Sequence, residues 1–240
     1  VRAAAFLNSG GLAGVDALLI PHTCDALQGL GSVLADFVRP PLPVLTLYLP
    51  RGRRPTDQAF LEAELRRLAD GLSAISGVVP DAAAWEEAFA VEDAAAGALA
   101  GLYARRHALA AADRDFYTVV RAREYLPAED YPALAAALPA GTPPDGVPLM
   151  LSGIVADPLD LFDHLARMGA RVVADDLAGG SRRHYPPGTP GGPVQTLAAR
   201  LLAGPPDPTR GDPIAARAEH LRALAAAGGA RGLVVYDPKF

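Results

Sequence analysis

Short apolar runs alternate with amphipathic stretches along the chain, and this rhythm predicts strands joined by helices. Val15–Pro21 (VDALLIP) is an unbroken apolar run opened by Gly14 and closed by Pro21, which suits a strand covered on both faces. HTCDALQGLGSVLADF then reads as a loop into a helix, with Leu27, Leu30 and Leu34 at helical spacing and Gly29 and Gly31 weakening it. Val44–Leu49 is a second strand, ended by Pro50 and the basic turn RGRRP. A long helix is expected over 56–75, its buried stripe marked by Leu61, Leu65, Leu68 and Leu72, with Gly77 as its stop. A further helical stretch over 81–112 places Trp85 and Phe89 on one face as core residues. Pro127, Pro132 and Pro139 cut residues 113–140 into shorter helical pieces.

The sharpest compositional break is GTPPDG at 141–146. It predicts an N-terminal α/β domain with a helical extension over 1–142 and an incomplete C-terminal α/β domain over 143–240. The second part repeats the strand–helix rhythm. Val147–Leu151 is followed by a helix in DPLDLFDHLARMG, with Asp157 as its cap and Pro158 in its first turn. Then come a strand at Arg171–Ala174, the turn AGGS, the Pro-rich loops PPGTPGGP and GPPDPTRGDP, the helix IAARAEHLRALAAAGG and a strand at Gly232–Tyr236. This spacing predicts parallel sheets. The fold class expected is therefore α/β: two Rossmann-like domains, parallel sheets flanked by helices, and a cleft between them.

In such folds ligands meet the loops beyond the C-terminal ends of the strands. Those loops are PHTCD, SGIVAD, DDLAGGSRR and the closing DPKF. Cys24 stands in a strand-to-helix loop, where a helix N-terminus favours thiolate. A buried small hydrophobe, a metal ligand and a nucleophile all remain open for it. Ser152 and Gly153 offer a hydroxyl and a permissive backbone to a ligand, or form a mere tight turn. Asp175 and Asp176 precede Gly179, Gly180, Ser181 and Arg182; these residues suit a ligand or phosphate, and an Asp176–Arg182 salt bridge competes with that reading. Neither G-x-G-x-x-G nor a P-loop is present. His107, His164 and His220 read as helix-surface or core-edge residues, and Arg51, Arg53 and Arg54 as a solvated turn.

Composition narrows the classes. The net charge of -5 without dense Lys/Arg clusters gives no footprint for nucleic acid. No apolar run reaches membrane-span length, and the opening VRAAAFLNSGG lacks the order of a signal peptide. A single cysteine excludes an internal disulfide and points to a reducing compartment, so a cytoplasmic location is expected.

The stretches GVDALLIPHTCDALQGL, VLTLYLPRGRRP, FLEAELRRLADGLSAISG, MLSGIVAD, MGARVVADDLAGGSRR and GLVVYDPKF, in this order, resemble the 2-hydroxyacyl-CoA dehydratase family. These are D-component proteins that also include subunits of benzoyl-CoA reductase. The resemblance spans essentially the whole chain. It implies α/β lobes sharing a [4Fe-4S] cluster, a paralogous second subunit forming a heterodimer, and an ATP-dependent activator protein that donates one electron. It also implies a lyase or related reductase chemistry on an acyl-CoA, in which the carbonyl becomes a ketyl and the 3-proton and 2-hydroxyl leave as water. Cys24 matches the first cluster cysteine. In the family's D-x-x-C-x-G-x-R, Ala178 stands where the second belongs, and the third is expected directly after Lys239-Phe240, where the sequence ends. The chain is expected to be truncated at both ends and, as such, to hold no cluster. Ser152, Gly153, Gly179 and Arg182 are the expected substrate contacts, and Cys24 the expected metal ligand. The alternative is a non-catalytic partner or acyl-CoA-binding subunit lacking a cluster.

Overall fold

The computed structural model describes residues 5–6, 9–10, 14–52, 54–187 and 191–236, with the side chain of Ala35 left aside. Arg53 and the closing DPKF lie outside the described residues. The chain forms two compact units, the first comprising Val1–Ala83, Gly188–Leu202 and Asp207–Asp212, the second Ala84–Pro187, Ala203–Pro206 and Pro213–Phe240.

In the first unit, β1 (Leu18–His22) and β2 (Val44–Tyr48) pair in parallel from Leu18 opposite Val44 to His22 opposite Tyr48. Between them α1 (Asp25–Ser32) runs directly into a wider-turned π segment, Val33–Val38, which ends at Arg39 in the left-handed region. Then α2 (Asp57–Ser76) follows, stopped by Gly77 at φ 73°. Of the expected stripe, Leu61 and Leu65 are buried, while Leu72 is 47% exposed at the far end. What covers Leu61 and Leu65 is α7 (Pro193–Leu202): Ala198 is fully buried against them, with Val194, Leu197 and Leu201 alongside. That helix was hidden between the Pro-rich loops, although Val194, Leu197, Ala198 and Leu201 recur at helical spacing.

The second unit holds a 3-stranded parallel sheet in the order β4-β3-β5, built from β3 (Val147–Gly153), β4 (Ala170–Asp176) and β5 (Gly232–Tyr236). The crossovers are α6 (Asp160–Arg167) and α8 (Ile214–Gly228). Ahead of the sheet in sequence lie α3 (Ala82–Ala104), α4 (Asp113–Ala122) and α5 (Tyr131–Ala136). Their inner faces join those of the sheet and α6 in one apolar core that includes Leu99, Phe116, Tyr131, Leu151, Phe162 and Val172. Tyr117 stacks on Phe162 at 4.2 Å between ring centroids, which fixes α4 against α6. Contacts thus group the chain differently from a single cut after residue 142. The helices before GTPPDG belong with the second sheet, and 188–202 returns to the first unit.

β4 pairs with β3 on one side only. Away from β3 its backbone is closed by side chains: the Val172 N–H donates to Asp113 Oδ2 (2.7 Å), and the Val172 carbonyl accepts from Arg106 Nη2 (3.2 Å). Arg106 and Asp113 are also paired with each other. A buried ion pair is sustained by such added bonds, and here it blunts a strand edge.

All strands pair in parallel as expected, with small shifts in their ends. β1 begins at Leu18, three places after Val15. Asp157 is not a helix cap: α6 starts at Asp160 with Leu159 at the N-cap, and the Asp157–Pro158 peptide is cis. The Asp157 carbonyl is instead held by the Tyr236 hydroxyl at 3.0 Å. Trp85 and Phe89 stack at 6.1 Å but are half-buried rather than core, because the buried face of α3 begins only at Ala95. His107 and His164 are exposed and His220 is half-buried, as their positions on helix surfaces implied.

The α2–α7 contact makes a direct prediction. Leu61→Ala should lower unfolding stability by about 2–5 kcal/mol in a denaturant titration, whereas Leu72→Ala should change it by less than about 1 kcal/mol.

Candidate functional site

Cys24 is the N-cap residue of α1, in extended backbone (φ −142°, ψ 165°) directly after β1. Its thiol is free and half-buried and makes no capping hydrogen bond. Two residues earlier the His22 ring leans on Tyr48 at 4.2 Å, and neither ring nitrogen finds a hydrogen-bond partner. Asp25, next to the cysteine, meets Arg51 at 3.5 Å in an exposed pair. The first-unit loop therefore has the strand-end, helix-start geometry that its sequence implied. Glu64, which accepts from Arg67 and from the Tyr48 N–H, has its pKa held low chiefly by that arginine.

In the second unit the ends of β3, β4 and β5 stand side by side, with β3 in the centre of the order. An order that reverses about its first strand opens a crevice beyond the carboxyl ends of the strands. The expected contacts gather there. Arg182, 6% exposed, donates through Nε to Asp176 Oδ1 (2.8 Å) and through Nη2 to the carbonyls of Gly153 (2.6 Å) and Asp176 (2.8 Å). Ser152 Oγ donates to Asp176 Oδ2 at 3.3 Å, and the Ala178 N–H donates to the Ile154 carbonyl at 2.8 Å. The loop after β4 is thereby sewn to the end of β3. The Asp176–Arg182 salt bridge is present, and the guanidinium is committed to these protein oxygens.

Asp175 is 1% exposed. Its Oδ1 accepts from the N–H groups of Leu177 (3.0 Å) and Ser181 (2.9 Å), and its Oδ2 from the hydroxyls of Tyr103 (2.7 Å) and Tyr117 (2.9 Å). Burial, and then the nearby Asp175 charge, push both tyrosine pKa values well above the ordinary phenol range, so both hydroxyls remain donors. Tyr103, Tyr117, Arg106 and Asp113 escaped the sequence reading. They sit on helices far from Asp175 along the chain, and the one local signal was tyrosine on an otherwise apolar helix face.

The glycines of this region explain themselves by packing. A Cβ at Gly180 would stand 2.4 Å from Asp175 Oδ1, and one at Gly153 would stand 2.3 Å from the Tyr236 carbonyl oxygen. At Gly179 it would meet Glu124 Oε1 at 2.9 Å. At 153 and 180 the space a side chain would fill is taken by the protein itself, and at 179 by the end of the Glu124 side chain.

A cluster finds few donors here. Cys24 offers one thiolate, whereas the Ala178 methyl offers none, and among the described residues no group of three or more His, Cys, Asp or Glu could hold a metal ion. A cubane cluster usually takes Cys thiolates at each corner, so the described residues do not fit one by themselves.

The family model for the 2-hydroxyglutaryl-CoA dehydratase D-component matches residues 2–240. No curated protein matches the chain. Among the described residues no helix is long and apolar enough to cross a membrane.

His184 follows the β4 loop and sets its ring edge-on to Tyr103 at 4.7 Å. Burial lowers its pKa below the ordinary histidine value, against an upward pull from Asp175. The unfolded chain then takes up a proton before the folded one does. The stability this histidine contributes is complete above about pH 6.5 and is lost as pH falls toward the lower folded pKa. The melting temperature should therefore fall more steeply from about pH 7.5 to about pH 5.5 in the wild-type protein than in His184→Gln. Parallel curves would contradict the assignment.

Proposed function

Since the chain belongs to the 2-hydroxyglutaryl-CoA dehydratase D-component family, we propose that it works as a cluster-poor subunit of a 2-hydroxyacyl-CoA dehydratase, receiving the acyl thioester beside a partner subunit. Ser152, Gly153, Gly179 and Arg182 shape the crevice for that thioester beyond the ends of β3 and β4. Arg182 acts by positioning, since its donors hold Gly153 and Asp176. The observation that carries this reading is the loop around Ala178. The N–H groups of residues 177, 178, 180, 181 and 182 are bonded within the protein, with a methyl group where the resemblance puts a thiolate. The dehydration itself, by a ketyl radical, belongs on this reading to the assembled complex with its ATP-dependent activator. A [4Fe-4S] cluster supplies one-electron chemistry where it is bound, and the partner subunit is its place. A reducing, cytoplasmic setting suits both the free Cys24 and such chemistry.

A second reading has a specific observation behind it. Cys24 stands at the N-cap of α1 with no capping bond of its own, and on this reading it serves as a soft metal ligand. It would make this chain a cluster-bearing, catalytic subunit.

Iron and acid-labile sulfide separate the two. Protein of these 240 residues, produced without oxygen, should carry neither in stoichiometric amount, and Cys24→Ser should leave that unchanged. Ala178→Cys should raise iron retention, because it restores a thiolate in an intact loop. A brown protein whose iron is lost on Cys24→Ser would establish the cluster-bearing reading instead.

A further inference from the structure

Along β4 and up to its carboxyl end, the second unit has a half-open cavity of about 510 Å³ between α3, β4 and α8. That size is in the range of small-molecule sites. Ala100, Ala104, Val173, Leu224 and Ala227 give it an apolar body. Its polar lining is one-sided in chemistry. Arg106 Nη1, Arg171 Nε and His184 Nε2 are buried nitrogens with no hydrogen-bond partner. Arg106, 9% exposed, has its other terminal nitrogen on Asp113 and the Val172 carbonyl. The two guanidinium groups repel each other across this space, and Arg171 has no ion pair among the described residues.

Acceptors in the lining are already used. Both Asp175 oxygens are taken by the tyrosine hydroxyls and the Leu177 and Ser181 N–H groups, and the Tyr103 hydroxyl is turned to Asp175. Ser181 Oγ donates to the Asp175 carbonyl at 2.6 Å. A guanidinium can only donate, so the unbonded Nη1 of Arg106, whose Nη2 is already on Asp113, and the unbonded Nε of Arg171 call for an acceptor brought from outside. Burying such donors without one is costly, and putting two cations on one cavity adds to the cost.

We propose that this cavity binds an organic anion, with a carboxylate or phosphate head on Arg106 and Arg171 and an apolar body along α3 and α8. The site lies along the α3 and α8 side of β4 and reaches Asp175, Ser181 and His184 at the strand's end; it does not use Ser152, Gly153, Gly179 or Arg182, and it stands whether or not the chain receives an acyl thioester at those residues.

Calorimetric titration of the 240-residue protein with octanoate, octyl phosphate, octanamide and inorganic phosphate tests it. At least one of the two anionic octyl ligands should bind one-to-one, and which of them binds better identifies the head group. Octanamide, of like shape without the charge, and inorganic phosphate, without the body, should each bind about tenfold or more weakly than that anion. Arg171→Met should weaken the anion about tenfold while leaving the melting temperature nearly unchanged, since its side chain holds no described partner. Leu224→Trp, which fills the apolar end, should abolish binding with the helical circular-dichroism signal retained. Octanamide binding as tightly as the anions, wild-type affinity in Arg171→Met, or no binding by either octyl anion would overturn the proposal.

Discussion

A single buried carboxylate organises the second unit. Asp175 ends β4 inside the protein, where a lone charge would cost several kcal/mol. What offsets that cost is a set of donors drawn from separate elements: Tyr103 on α3, Tyr117 on α4, and the Leu177 and Ser181 amides of the loop that follows. Removing any one of them leaves a buried charge less satisfied, so the strand, both helices and the loop are held in mutual register. Arg106 and Asp113 repeat the device three residues back, on the backbone N–H and carbonyl of Val172 in the same strand.

This constraint accounts for the local sequence better than ligand binding does. Residue 180 is glycine because the Asp175 carboxylate occupies the space of a side chain there. The 177–182 loop takes its shape from hydrogen bonds of Asp175, Asp176 and Arg182, and none of these involves the side chain at 178. On the proposed reading, a thiol at that position would add a donor without being needed for the shape of the loop.

The strands were legible in the sequence because each is a short apolar run closed by glycine, proline or a charged turn. Val44–Tyr48 and Gly232–Tyr236 appear almost as the pattern draws them. Cys24, Ser152, Gly153 and the 175–182 loop were found at strand ends by the same logic. Two things were not legible. The helix at Pro193–Leu202 was masked by flanking prolines, and its partner Leu61 lies far off in the chain. Tyr103 and Tyr117 are separated from Asp175 by 72 and 58 residues. No local period reports such a bond, and only the folded core brings the hydroxyls to the carboxylate.

Hydrogen exchange on Asp175→Asn tests this account most directly. The amide keeps the size of the carboxylate but not its charge: with its oxygen toward the Leu177 and Ser181 N–H groups and its NH2 toward the tyrosine hydroxyls, which can accept, the two amides face a neutral acceptor in place of a charged one. Bonds to a charged acceptor of this kind contribute about 1.5–3 kcal/mol. A neutral acceptor gives roughly half of that, so exchange at the Leu177 and Ser181 amides should speed up by roughly tenfold, with the β3 amides much less affected. Unchanged protection at Leu177 and Ser181 would show that the loop stands without its carboxylate and would contradict the account.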